Sequence, residues 1–71
     1  MKTKSKPLTT GAKIRAAREA AGLTQAELAE AAGTRQSHLS AVEADRHEVT
    51  IPMLQRLAAA LGVPWRDLAG D

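Results

Sequence analysis

The sequence predicts an all-α fold, a five-helix bundle in one small domain. Apolar residues recur at helical spacing in successive stretches, which is the pattern of helices that bury one face. Threonines precede several of these stretches and glycines follow them, as expected of helix N-caps and C-caps. The 71 residues include one tryptophan but neither phenylalanine nor tyrosine, which disfavours a β-sandwich or barrel.

The first helix is predicted over about residues 11–21, with Thr9 or Thr10 as its N-cap and Gly22 just beyond its end. Residues spaced by three and four positions define its inner face. These are Ile14, Ala17 and Ala21.

The second helix is predicted to open at Thr24, which forms a capping box with Glu27, and to stop at Gly33. The third is predicted to start near residues 34–36 and to run to about Ala44. Five residues are expected to be buried: Leu28, Ala29 and Ala32 in the second helix, Leu39 and Val42 in the third.

Thr50 is expected to cap the fourth helix, with Pro52 in its first turn and Gly62 closing it. A short fifth helix is predicted from Pro64 to about Ala69. The apolar residues of this part are Leu54, Leu57, Ala58 and Leu61, followed by Trp65 and Leu68.

The positive charge of the chain lies at its N-terminus. Without Lys2, Lys4 and Lys6 the sequence has seven basic and eight acidic residues. Residues 1–9 are therefore predicted to form a flexible basic arm, ahead of a folded domain over residues 10–71; a solvated, disordered terminus without a role is the alternative. The absence of cysteine, of a secretory signal and of a membrane-spanning stretch predicts a cytoplasmic protein.

Five residues have a spacing that predicts a helix-turn-helix over residues 24–44. Ala29 is small enough for two helices to cross closely, and Gly33 allows the positive φ of the turn between them. Leu39 and Val42 would hold the inner side of the third helix and leave its outer face free. The pattern begins at Gln25.

At these positions the chain resembles the helix-turn-helix domains of phage repressors and Cro proteins, the Cro/cI or XRE type. The resemblance covers about residues 11–69. The matching stretches are Ile14-Arg15-x-x-Arg18, Leu23-Thr24-Gln25-Ala26-Glu27-Leu28-Ala29-Glu30-x-x-Gly33, Gln36-Ser37-x-Leu39-Ser40-x-x-Glu43, and Leu54-x-x-Leu57-Ala58-x-x-Leu61-Gly62-Val63. It implies a lambda-repressor-like DNA-binding domain whose third helix enters the major groove of double-stranded DNA.

The resemblance also implies roles for single residues. Gln25 would hold a DNA phosphate and steady the third helix. The base-facing positions would be Arg35, Gln36, Ser37, Ser40 and Ala41. Glutamine suits adenine, arginine suits guanine and an alanine methyl suits the thymine methyl. Further DNA contacts are expected from His38, Arg46 and His47 near the phosphates, and from Lys4 and Lys6 in the arm.

Arg18 and Glu43 match a pair that, in this family, joins the first and third helices by a buried salt bridge. Two separate surface charges are the alternative. A buried bridge would fix the orientation of the third helix, since such pairs contribute specificity more reliably than stability.

The chain departs from the family pattern at two positions. Arg35 stands where Ser or Thr usually caps the third helix, so Thr34 is an alternative cap. Asp45 stands where Gly is usual, although Asp tolerates a left-handed conformation. Asp45 and Glu48 also make the following loop more acidic than usual, which is expected to weaken phosphate contact.

The sequence predicts no enzyme, no cofactor and no metal. His38 and His47 are nine residues apart and, without cysteine, match no zinc spacing. Ser37, His38 and Ser40 lie too close on one helix for a catalytic triad.

The leading interpretation is a small transcriptional regulator, a repressor that binds a palindromic operator as a homodimer. Its dimer contacts are expected at the C-terminal end, through Val63, Trp65 and Leu68; packing of Trp65 on its own subunit is the alternative. Two further interpretations stay open. One is an antitoxin that binds a toxin partner and autoregulates its operon, and the other is a controller of a restriction–modification system.

Overall fold

The computed structural model describes residues 9–69, and its helices confirm the all-α prediction. Four α-helices occur there: α1 (Thr10–Ala20), α2 (Gln25–Ala32), α3 (Gln36–Glu43) and α4 (Ile51–Leu61). No strand occurs between residues 9 and 69. Within the same residues, no helix is long and apolar enough to cross a membrane.

The prediction of a fifth α-helix over residues 64–69 is wrong. This segment forms one 3₁₀ turn, Trp65–Asp67, in which the Asp67 and Leu68 amides each donate to the carbonyl three residues earlier. A segment of six residues is too short to sustain an α-helix by itself, so its packing decides its shape. The buried Leu68, 2% exposed, pulls the turn onto the core.

Threonine caps start three of the four helices. The hydroxyl oxygen of Thr9, not that of Thr10, accepts from the Ala12 amide at 3.1 Å, and Thr50 accepts from Met53 at 3.2 Å. Thr24 and Glu27 form the predicted capping box, with bonds of 3.0 and 2.9 Å between side chains and backbone amides.

Helix α3 begins without such a cap. Arg35 is its N-cap residue in extended conformation and makes no side-chain cap bond, and Thr34 makes no side-chain hydrogen bond in its place. The first turn of α3 therefore lacks the side-chain acceptor that a threonine gives each of the other three helices.

One hydrophobic core joins all the elements. Helix α2 packs against α4 and α3, α3 packs against α1, and the 3₁₀ turn packs against α4. Between residues 9 and 69, the ten buried apolar side chains of this core are Ile14, Leu28, Ala29, Ala32, Leu39, Val42, Leu54, Leu57, Ala58 and Leu68. Ala21, predicted for the inner face of α1, is exposed because the helix ends at Ala20 and Ala21 lies beyond its last packed turn.

The connection between α2 and α3 turns at Gly33. Its backbone is left-handed, with φ 74° and ψ 34°, a conformation that glycine adopts at little cost. The short turn sets α3 across α2, with Ala29 and Leu39 both buried where the helices meet.

Candidate nucleic-acid interface

Helix α3 buries one side and leaves the other free. Its buried residues are Leu39, Val42 and Glu43. Since successive helical residues are rotated by about 100°, the opposite side is centred on Ser37, Ala41 and Ala44. We call this side the outer face of α3.

Of the predicted base-facing residues, Ser37 and Ala41 lie on this outer face and Ser40 lies on its flank, whereas Arg35 and Gln36 lie at the N-terminal end of α3. Arg35, Gln36 and Ser37 are exposed, and Ser40 and Ala41 are half-buried. Ala44 is also exposed and was missed by the sequence analysis. Its position three residues after Ala41 was the signal that could have placed it on the same face.

A hydrogen-bonded network fixes the end of α3 to its neighbours. Arg18 on α1 donates to both carboxylate oxygens of Glu43, from Nε at 2.8 Å and from Nη2 at 3.2 Å. Its remaining Nη1 donates to the Leu23 carbonyl at 2.8 Å. The side chains of Arg18 and Glu43 are only 11% and 3% exposed, so the pair is buried and does not consist of two surface charges.

The hydrogen bond across this pair favours the charged form of Arg18. The hydrogen bond to Glu43 raises the pKa of Arg18 above its ordinary value, against the opposing effect of burial. Arg18 therefore stays cationic throughout the working pH range. By contrast, the Arg15–Glu19 pair on the same helix is exposed at both ends.

Gln25 is the third member of this network. Its amide nitrogen donates to Glu43 Oε1 at 3.1 Å, so the first residue of α2 is tied to the end of α3. This bond joins residues 18 positions apart and has no signal in local spacing, so the sequence predicts only a role of Gln25 near DNA. The second hydrogen of the same amide nitrogen is left for another acceptor.

A surface depression of about 260 Å³ lies over this network. It is lined by residues of three helices: Arg15, Arg18, Gln25, Ser40, Glu43 and Ala44. The depression thus adjoins the outer face of α3 at Ser40 and Ala44.

Asp45, two residues after the end of α3, takes the left-handed conformation at the position where the family usually has glycine. Asp45 adopts φ 62°, as expected of a residue that tolerates the left-handed region. Its Oδ2 accepts a hydrogen bond of 2.8 Å from the Thr9 hydroxyl. One of the two loop carboxylates is therefore bound to the start of α1, and sequence analysis had no means to foresee it.

Gly11 allows α1 and α3 to approach closely at the same junction. A Cβ placed there would lie 2.9 Å from the Glu43 carbonyl oxygen, 2.6 Å from Asp45 Oδ1, and closer still to the Val42 carbonyl oxygen. A depression of about 390 Å³ runs from this junction along the loop after α3 to Val49.

The other predicted site residues are placed as follows. Arg46 and His47 are exposed in the loop after α3, Glu48 is exposed beside them, and His38 is half-buried on α3. Lys4 and Lys6 lie outside the described residues. Between residues 9 and 69, no group of three or more potential ligands that could hold a metal ion is found.

At the C-terminal end the three predicted dimer residues differ in exposure. Leu68 is 2% exposed and packs in the core of its own chain. Val63 and Trp65 are half-buried and also contact that core. The Arg66 guanidinium lies 5.7 Å from the centre of the Trp65 ring.

The capped α2, the left-handed turn at Gly33 and the free outer face of α3 define a helix-turn-helix protein. The family model for this class (HTH_3, helix-turn-helix) matches residues 14–68. The chain therefore belongs to the helix-turn-helix family, and the resemblance drawn from its sequence is confirmed.

Comparison with known proteins identifies a relative in a phage. The chain is 36% identical over 64 residues to the immunity repressor protein of Bacillus phage phi105. The match covers 90% of this chain but 44% of the repressor, so the chain spans less than half the length of that relative.

Two solved structures share the fold over most of their length. The restriction–modification controller protein C.AhdI from Aeromonas hydrophila superposes with a TM-score of 0.81 and 34% identity, over 83% of this chain and 89% of that one. SinR, a master regulator for biofilm formation solved in complex with DNA, gives a TM-score of 0.81 and 33% identity, over 84% and 97%.

Proposed function

We propose that this protein is a sequence-specific DNA-binding regulator that inserts α3 into the major groove and represses transcription. The observation that carries this proposal is the contrast between the two sides of α3. Its inner side is fixed by the core and by the Arg18–Glu43–Gln25 network, whereas its outer face and the exposed polar side chains at its N-terminal end are free. Such an orientation suits a rigid helix that reads base edges.

The residues on and near α3 have separate roles in this proposal. Gln36 and Arg35 read base edges, because their side chains can pair bidentately with adenine and guanine. Ser37, Ser40 and Ala41 contact the neighbouring bases. Gln25 donates its free amide hydrogen to a phosphate while Glu43 holds the other.

Phosphate contacts surround these base contacts. They come from Arg46 in the loop, from His38 and His47, and from Lys4 and Lys6 of the N-terminal segment. Contacts of this kind set register and affinity without reading sequence. Since Asp45 is bonded to Thr9, only Glu48 is left as an unengaged acid within this loop.

A single domain of this size contacts too few base pairs for discrimination, so the functional unit is a homodimer on a palindromic operator. The half-sites then lie about 34 Å apart, or a multiple of that distance. The exposed parts of Val63 and Trp65 supply the dimer contact. Leu68 does not, because it is buried in the core of its own chain. Repression follows from occlusion of a promoter in the cytoplasm, and no catalytic step is involved.

Control of a restriction–modification system is a second candidate function. The chain covers 89% of the controller C.AhdI, so the two proteins correspond over nearly the whole of that controller. Both candidates require the same DNA-binding surface and differ in the genes that are regulated. The antitoxin alternative has no comparable observation in its favour.

Replacing Gln36 by alanine is expected to weaken specific binding by about 1–3 kcal/mol and to relax the preference at one base pair. The reason is the loss of one bidentate base contact from an exposed residue that holds no other part of the fold. Binding is measured by fluorescence anisotropy on a duplex enriched from a random pool and on an unrelated duplex. Gln55→Ala, an exposed glutamine on α4, is the matched control.

Affinity for the unrelated duplex should barely change in the Gln36 variant. Equal losses on both duplexes, in a variant that unfolds at the same denaturant concentration as the parent, would show that Gln36 does not read a base.

A further inference from the structure

The only two histidines of the chain meet at the edge of the outer face of α3. The ring centres of His38 on α3 and His47 in the following loop are 5.8 Å apart, with planes tilted by 38°. We call these two residues the histidine pair. His38 is half-buried and His47 is exposed.

The histidine pair borders the outer face on the side away from Gln25. His38 is one residue before the buried Leu39 and one after the exposed Ser37, so it lies on a flank of α3. Ser40 lies on the opposite flank, next to the depression over the ion-pair network. A duplex seated on the outer face would therefore bring its backbone past the histidine pair.

Neither imidazole has a fixed partner within residues 9–69. No side-chain hydrogen bond or ion pair there involves His38 or His47. The rings of the pair thus remain available for an external acceptor.

The charged residues in the segments around the pair are balanced in sign, six basic and six acidic. Those that flank α3 in the sequence are Arg35, Asp45, Arg46 and Glu48, and Asp45 accepts a hydrogen bond from Thr9. The charged residues on the neighbouring helices are Lys13, Arg15, Arg18 and Glu19 on α1, Glu27 and Glu30 on α2, Glu43 on α3, and Arg56 on α4. Most of these are engaged elsewhere: Lys13 with the Ala69 carbonyl, Arg15 with Glu19, Arg18 with Glu43, and Glu27 with the Thr24 amide.

We propose that the histidine pair couples DNA binding to proton uptake. Imidazole changes its charge between about pH 5 and 8, and a phosphate nearby favours the charged form. DNA binding through the outer face therefore draws protons onto the pair, and affinity rises as the pH falls.

This inference rests on the proposed function, since it needs a duplex seated on α3. The sign follows from linkage: if the complex holds one more proton than the free protein, the association constant rises by up to about tenfold for each pH unit lowered. The response is confined to the range in which imidazole titrates and should level off above about pH 8.

The test compares the dissociation constants of protein–DNA complexes at about pH 6 and about pH 8. Ionic strength is kept constant and EDTA is present. The proteins are the parent, His38→Gln, His47→Gln and the double variant. The probe is a duplex enriched from a random pool by the parent protein. Arg46→Gln is the matched control, because it removes a neighbouring charge that does not titrate in this range. Circular dichroism at both pH values verifies that each variant is folded. If one single variant is unfolded, the pH response of the other single variant is compared with that of the parent.

The parent and Arg46→Gln should bind at least about fivefold more tightly at the lower pH, whereas the double variant should bind equally at both. An undiminished pH response in the double variant, or a parent affinity that does not change with pH, would overturn the role of the pair while leaving DNA binding intact. Failure of the parent to bind duplex DNA at either pH would overturn the proposed function itself.

Discussion

Replacing Arg18 by methionine is expected to lower the free energy of unfolding by about 3–5 kcal/mol. The change removes the cation but leaves the Glu43 carboxylate, whose side chain is 3% exposed, with only the Gln25 amide as a partner. An uncompensated buried charge is the costly outcome, rather than the loss of the attraction itself. A domain of this size is stable by only about 4–11 kcal/mol, so the loss is a large part of the total.

The double change Arg18→Met with Glu43→Leu is expected to recover much of this loss, because no charge is then left buried. The free energy of unfolding of each variant is measured by urea denaturation, monitored by circular dichroism. Arg15→Met is the matched control, since the Arg15–Glu19 pair is exposed and such pairs contribute about 0–1 kcal/mol. Equal costs for Arg18→Met and Arg15→Met would mean that the buried pair does not hold α3 in place.

Replacing Gly11 by alanine is expected to destabilise the protein by about 3 kcal/mol, at the upper end of overpacking costs. A Cβ at this position meets the carbonyl oxygens of Val42 and Glu43, which are backbone atoms and cannot rotate away. Helix α1 must then separate from the end of α3, where Thr9 also binds Asp45.

The sign of the change in stability shows whether close packing at Gly11 or helix propensity dominates. Gly11 lies in the first turn of α1, and on helix propensity alone a change from glycine to alanine stabilises by up to about 1 kcal/mol. Thermal unfolding of Gly11→Ala should therefore occur at a lower temperature than that of the parent if the close approach matters. An unchanged or higher unfolding temperature would contradict the packing described for this junction.

The features that sequence analysis predicted well depend on local signals. Thr24 and Glu27 form a capping box because they are three residues apart, and Gly33 adopts a left-handed backbone because the turn requires it. The apolar stripes of α2 and α4 follow from helical spacing alone. These patterns need no information about distant parts of the chain.

The features that it missed depend on contacts between distant residues. Gln25 and Glu43 are 18 positions apart, and Thr9 and Asp45 are 36 apart, so neither bond leaves a periodic signal. The helix predicted from Pro64 to about Ala69 is a single 3₁₀ turn instead. Its 3₁₀ form follows from the way Leu68 enters the core.

The most direct test of the central claim, that α3 reads DNA sequence, is selection of bound duplexes from a random-sequence pool by the purified protein. We expect enrichment of one palindromic motif with half-sites about 34 Å apart, or a multiple of that distance. The Gln36→Ala protein should enrich the same motif with one position relaxed in each half-site. A pool that stays random after repeated rounds, while the protein remains folded and retains duplexes, would contradict sequence-specific binding by this helix.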